Sequence, residues 1–229
     1  MSRDETGWAR EMLIDLDLKE KQAVILGGGT EAELKAIKLA DSGASITVVA
    51  RRFTNGLRAL SKAGKVRLVR RDPSRPGPLL EKLKPRVLFI STGKPALDAE
   101  LAGLGRSRGI LLCVVDAPQH NDFNMPAIAR VGGVRVAIST GGRSPAVAKV
   151  LRKRIEKVIR REDLLQIELQ GSIREAIGRA ANSRGERKRL VYEIIEDAET
   201  ARLLREGDLK GAKARASEII RGHRRSKKS

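Results

Sequence analysis

The turn Gly27-Gly28-Gly29-Thr30-Glu31-Ala32 separates the apolar run Ala23-Val24-Ile25-Leu26 from a stretch in which Ala32, Ala36, Ile37, Leu39 and Ala40 recur at helical spacing. Placed between a buried strand and a helix, such a turn can hold an anion. Gly27 allows the sharp bend, Gly29 lets backbone approach a pyrophosphate, and the small Ala32 lets the helix pack close to the strand. First-turn N–H groups, backed by the positive end of the helix dipole, would then face the phosphates. The competing reading is a doubly wound domain whose tight turn binds nothing.

Three further groups could do chemistry. Asp116 ends an apolar run at residues 109–115. Its carboxylate could move a proton, or it could merely hold the Ala117-Pro118 turn through an Asx-turn. Thr140-Gly141-Gly142-Arg143-Ser144-Pro145 has a good N-cap in Ser144 and a good first helical residue in Pro145. The same segment offers N–H groups, hydroxyls and the Arg143 cation to a carboxylate. His120 lies in the polar loop Gln119-His120-Asn121-Asp122 and reads as a solvated side chain, with a metal role beside Asp116 as the alternative.

These residues need a scaffold that brings them together. Strand-like segments at 45–50, 66–70, 87–91 and 109–115 alternate with helical or loop connections such as 96–106. The alternation predicts an α/β fold, a Rossmann-like doubly wound parallel sheet covered on both faces. Ligands in such sheets sit at the carboxyl ends of the strands, which here are followed by Gly27-Gly28-Gly29, Arg51-Arg52, Thr92-Gly93-Lys94 and Asp116-Ala117-Pro118. Another strand is expected at 134–139, then a helix with Val147, Val150, Leu151, Ile155, Val158 and Ile159 on one stripe. From 162 to 220 the pattern is wholly helical: one helix opening at Leu164, a second over 190–204 and a third over 212–220, with residues 222–229 as a disordered basic tail. The domains predicted are 1–124, 125–160 and 161–229.

Composition narrows the partners. The formal net charge is +19, from 47 Lys and Arg against 28 Asp and Glu, so the surface should attract a polyanion. Aromatic residues make up 2% of the chain, which argues against stacking platforms for single-stranded nucleic acid. Cys113 is the single cysteine, and it excludes a disulfide framework and a multi-cysteine zinc site. A cytoplasmic protein is expected, because no apolar stretch approaches a membrane span and Asp4, Glu5 and Arg10 break up any secretion signal.

The order of these motifs resembles the precorrin-2 dehydrogenase family, the NAD-dependent oxidase and ferrochelatase module of sirohaem synthase. Carrying the resemblance are Met12-Leu13-Ile14-Asp15-Leu16-Asp17-Leu18, the glycine turn through Lys35, Thr47-Val48-Val49-Ala50 and Ile90-Ser91-Thr92. Stronger matches are Val114-Val115-Asp116-Ala117-Pro118 with Phe123-Asn124-Met125-Pro126-Ala127, and Ala137-Ile138-Ser139 running through Pro145 to Leu151-Arg152.

The resemblance implies oxidation of precorrin-2 to sirohydrochlorin with NAD as hydride acceptor, in a homodimer interlocked by its middle segment. It also implies Asp116 as the acid–base residue. The implied nucleotide site comprises Gly27, Gly28, Gly29, Thr30, Glu31, Ala32, Arg51, Thr92 and Val115, and the implied substrate site Thr140, Gly141, Gly142, Arg143 and Ser144. Precorrin-2 carries eight carboxylates, so the positive charge has a natural partner other than nucleic acid. Some members of the family also insert Fe2+, for which Asp116 and His120 are the candidate ligands.

Two departures stand out. The acid expected at the second strand end is replaced by Ala50-Arg51-Arg52, where Arg51 or Arg52 could receive the 2′-phosphate of NADP, yet members of the family commonly lack that acid and still use NAD, which is the cofactor expected. Gly93-Lys94-Pro95 stands where the family usually has acidic residues. Rival readings are a chelatase without dehydrogenase activity and a basic nucleotide-sensing or nucleic-acid-binding protein.

Overall fold

The computed structural model describes residues 12–226, so Asp4, Glu5, Arg10 and residues 227–229 lie outside it. The described residues fall into two compact units, one being Met12–Met125 and the other beginning at Pro126.

In the first unit, β1 (Gln22–Leu26), β2 (Ser45–Ala50), β3 (Arg67–Arg70), β4 (Val87–Ile90) and β5 (Leu111–Val114) form a parallel sheet in the order β3-β2-β1-β4-β5. The central strands are apolar at consecutive positions because both faces are covered. Ala23, Ile25, Val48 and Phe89 point into one core, with Ala32, Ala36 and Leu39 of α1 (Thr30–Leu39) and Leu57 of α2 (Asn55–Lys62). Val24, Leu26, Val49, Leu88 and Ile90 point into the other, with Leu80 of α3 (Gly77–Leu83) and Leu101 and Ala102 of α4 (Pro95–Arg106). Chain order reverses between β1 and β4, which places the ligand crevice of a doubly wound sheet at their carboxyl ends.

The second unit opens with an antiparallel hairpin, β6 (Ala127–Val131) and β7 (Val134–Ile138), joined by Gly132-Gly133. Sequence reading found β7 and missed β6. α5 (Pro145–Val158) follows, then α6 (Arg161–Ala180), α7 (Arg184–Glu196), α8 (Ala198–Glu206) and α9 (Leu209–Ser226). Leu169, Ile173, Ile177, Leu190, Ile194, Leu204, Ala212, Ala216 and Ile220 form one core among α6 to α9.

Two expectations are corrected. The single helix over 190–204 is two, because Asp197 leaves the helical region and caps α8: its Oδ2 accepts the Thr200 N–H and hydroxyl, each at 2.8 Å. The tail is helical through Ser226, as α9 carries Ile220 into the core and continues.

Asp197 also accepts from Arg215 of α9 at 2.8 Å, and this guanidinium, with the Thr200 donors, holds its carboxyl well below the usual carboxylate range. A depressed folded-state value contributes stability above about pH 4 that is lost as pH falls further. Asp197→Ala should therefore cost about 2 kcal/mol at neutral pH through the lost cap and ion pair. Thermal melts of variant and wild type should converge as the buffer is taken below about pH 4. A constant gap across that range would show that the carboxylate charge contributes nothing.

Candidate nucleotide and proton-transfer site

The parallel sheet gathers four of the sequence-predicted segments on one edge. After β1, Gly27 has φ +129°, and a Cβ there would lie 2.0 Å from the Ser91 carbonyl oxygen at the end of β4. A Cβ on Gly28 would lie 2.0 Å from the Arg52 carbonyl oxygen, and the Gly28 carbonyl accepts the Thr54 N–H at 3.1 Å. These two glycines let the neighbouring strand ends close on the turn. Gly29 differs. It is the N-cap of α1 with φ −85°, it offers no side-chain cap, and a Cβ built on it meets nothing within 4 Å.

The space over Gly29 and the uncapped first turn at Thr30, Glu31 and Ala32 form a cradle that a side chain would fill. A pyrophosphate fits it chemically, since it accepts several N–H bonds and sits at the positive end of the helix. Glu31 lies in the same turn and reaches Lys35 at 3.9 Å.

Beyond β2, Arg51 pairs with Asp72, which lies beyond the end of β3. The Ser74 N–H, with Arg51, draws the Asp72 carboxyl down to about 2. Arg52 is exposed and has no side-chain partner among the described residues. Beyond β4, the Thr92 hydroxyl donates to Asp98 and accepts the Lys94 N–H at 3.3 Å, while the Thr92 N–H reaches Asp98 at 3.3 Å. Asp98, in the first turn of α4, is 4% exposed. Sequence reading missed this acid, which locks the Thr92-Gly93-Lys94 turn and commits the Thr92 hydroxyl to the protein.

Beyond β5, the Val115 N–H donates to Ile90 O at 2.9 Å and carries the chain to Asp116. Asp116 has φ +63°, a left-handed conformation that costs a non-glycine residue on the order of 1 kcal/mol. Its exposed carboxylate has no hydrogen bond or ion pair among the described residues. An Asx-turn would need an N–H two residues on, where Pro118 has none.

Residues 121–123 pack along the sheet edge. Asn121 Oδ1 accepts the Val114 N–H at 2.6 Å and Asp122 Oδ2 accepts the Leu112 N–H at 3.0 Å, so two side chains cover the free edge of β5. Phe123 stacks edge-on against Phe89 with centroids 5.5 Å apart. Together they fix the return of the chain that carries Asp116. The His120 carbonyl accepts from Arg106 at 3.1 Å. Among the described residues no group of three or more His, Cys, Asp or Glu side chains is placed to hold a metal ion.

Thr140, Gly141, Gly142, Arg143 and Ser144 belong to the second unit. Gly141 and Gly142 have φ +58° and +75°, Thr140 Oγ1 accepts the Ser144 N–H at 3.2 Å, and Ser144 Oγ accepts the Val147 N–H at 3.3 Å. The segment is thus a capped helix start. Arg143 is exposed, with no side-chain partner among the described residues.

Comparison with known proteins fits this layout. A family model described as putative NAD(P)-binding matches residues 14–127, and one described as sirohaem biosynthesis protein central matches residues 132–157. Sirohaem synthases of Escherichia coli O1:K1 and Escherichia fergusonii are each 31% identical over 205 residues, 89% of this chain and 44% of theirs. The chain thus spans less than half the length of these curated relatives. In fold it is similar to the solved structure of SirC, precorrin-2 dehydrogenase, with TM-score 0.66 and 21% identity over 91% of this chain and 100% of that one. No helix among the described residues is long and apolar enough to cross a membrane. From residue 14 to residue 157 the two family models follow one another along the chain, which is related to the sirohaem synthases over the part of their length that it spans.

Proposed function

We propose that the chain dehydrogenates precorrin-2 to sirohydrochlorin in sirohaem biosynthesis, as a cytoplasmic homodimer. The observation that carries the chemistry is Asp116, a strained carboxylate with no partner among the described residues, at the carboxyl edge of a sheet whose glycine turn is shaped for a pyrophosphate. Strain without a local bond to account for it is found where a side chain is held for use.

Aromatising the macrocycle removes a hydride and a proton. A nicotinamide dinucleotide seated on Gly29, Thr30, Glu31 and Ala32 supplies the hydride acceptor. NAD is the form the resemblance gives, and nothing at the glycine turn itself separates it from NADP. Asp116 takes the proton as general base, with Val115 and the locked Thr92 turn beside it shaping the floor of the crevice. Arg143, exposed and without a side-chain partner among the described residues, receives a substrate carboxylate. The polyanionic substrate accounts for the charge of +19 and is steered by it.

The dimer is supported by α5, which packs on the hairpin yet leaves Val147, Val150 and Val158 at least 49% exposed. Sedimentation equilibrium should return two copies. For the reaction, precorrin-2 and NAD incubated anaerobically with the protein should yield the sirohydrochlorin spectrum and NADH absorbance in equal amounts. A sirohydrochlorin yield independent of added dinucleotide, or no conversion at all, would overturn the reading.

A further inference from the structure

The turn after β4 is held by an acid that the proton transfer does not use. Asp98 is 4% exposed, accepts the Thr92 hydroxyl and the Thr92 N–H, and forms no ion pair among the described residues. Burying a carboxylate without a cation is costly. The start of α4 does not require it, since an acid complements a helix dipole equally well from the surface and Pro95 already sits at the first helical position.

The turn stands at the ligand crevice. β4 lies between β1 and β5, so Thr92-Gly93-Lys94 leaves the sheet between the glycine turn and Asp116. On one side the Ser91 carbonyl fills the space a Gly27 side chain would need, and on the other the Val115 N–H donates to the Ile90 carbonyl. In a doubly wound domain the adenosine ribose is met at the end of β2, which leaves the end of β4 to the nicotinamide half of the dinucleotide. Gly93 has φ +72° and a Cβ built on it meets nothing within 4 Å, so the turn presents bare backbone to open space. The Thr92 hydroxyl is engaged within the protein, donating to Asp98 and accepting the Lys94 N–H at 3.3 Å.

We propose that Asp98 is a positioning residue for the nicotinamide half. By holding both donors of Thr92, it fixes the backbone of the turn as the surface against which that half lies. The inference rests on the nucleotide-site reading above and gives Thr92 a different part from the one the resemblance implies. Thr92 acts through its backbone, and its hydroxyl, held by Asp98, does not touch the cofactor.

Calorimetric titration with NAD and with ADP-ribose, which lacks the nicotinamide ring, tests this without turnover. Asp98→Ala should weaken NAD about tenfold while ADP-ribose affinity stays within about twofold of wild type. Asp98→Asn, whose Oδ1 can accept both bonds, should restore NAD affinity to within about twofold. Adding Thr92→Val to Asp98→Ala should cost nothing further, because the two side chains act as one unit. Circular dichroism and thermal melts confirm that each variant is folded. Should alanine prevent folding, Asp98→Ser, which keeps a polar group in the same space, is read on the same two ligands. Unfolding by both replacements would mark Asp98 as a folding residue only and overturn the assignment. Equal weakening of NAD and ADP-ribose, unchanged affinity for both, or a further loss on adding Thr92→Val would overturn it as well. A wild-type protein that binds neither ligand would overturn the nucleotide site and this inference together.

Discussion

Asp116→Asn should fold as wild type does, bind the dinucleotide nearly as tightly, and oxidise precorrin-2 about 10² to 10⁴ times more slowly. Asparagine keeps the shape of the side chain and tolerates φ +63° as readily as aspartate, so the backbone loses nothing. What it lacks is basicity. Were Asp116 only a loop residue, some bond would have to hold the loop. Its carboxylate makes none among the described residues, and Pro118 removes the N–H that an Asx-turn would use. The loop is held instead by Asn121, Asp122 and Phe123. Asp116→Gly should accordingly raise thermal stability, by up to about 1 kcal/mol, while abolishing proton removal, a trade expected of a strained working residue. Single-turnover oxidation read at the NADH band, beside a thermal melt, decides between the two roles. An Asp116→Asn protein that turns over near the wild-type rate would leave the carboxylate without a role in catalysis.

Much of the scaffold around Asp116 is legible from the residues, and the exceptions have physical causes. Ala23 to Leu26 read as a buried strand because four consecutive apolar residues are divided between two cores. β6 was missed because Ala127-Ile128-Ala129-Arg130-Val131 is short and carries small residues, although Gly132-Gly133 before Val134 is a two-residue hairpin signal. The break at Asp197 was hidden because Leu190, Ile194 and Leu204 all enter one core and so keep a helical rhythm across two helices. Asp98 could not be singled out: an acid in a first helical turn ordinarily complements the dipole, and only the fold shows this one buried against Thr92. The role of the Asn121-Asp122 pair is not legible in the sequence, because side chains that cap a sheet edge have the same composition as side chains that face water.

The three glycines of the turn, alike in sequence, should part company on substitution. Gly29→Val places its side chain in open space at φ −85°, which valine adopts freely, so the melting temperature should fall by only a few degrees. That space is where backbone N–H groups would meet the pyrophosphate, and each charge-assisted bond lost there is worth about 1.5 to 3 kcal/mol. Dinucleotide affinity measured by calorimetric titration should therefore drop about 100-fold or more. Gly27→Val fails for the opposite reason. Its Cβ would lie 2.0 Å from the Ser91 carbonyl oxygen, at φ +129°, so β1 and β4 must separate or the turn must unwind. The expected cost exceeds about 4 kcal/mol, enough to leave little folded protein. A ligand-free tight turn would demand glycine at Gly27 and Gly28 for the close approaches of Ser91 and Arg52, but it would place no demand on Gly29. A folded Gly29→Val protein with unchanged dinucleotide affinity would therefore remove the nucleotide from the turn, and the hydride acceptor that the proposed reaction needs would have no seat there.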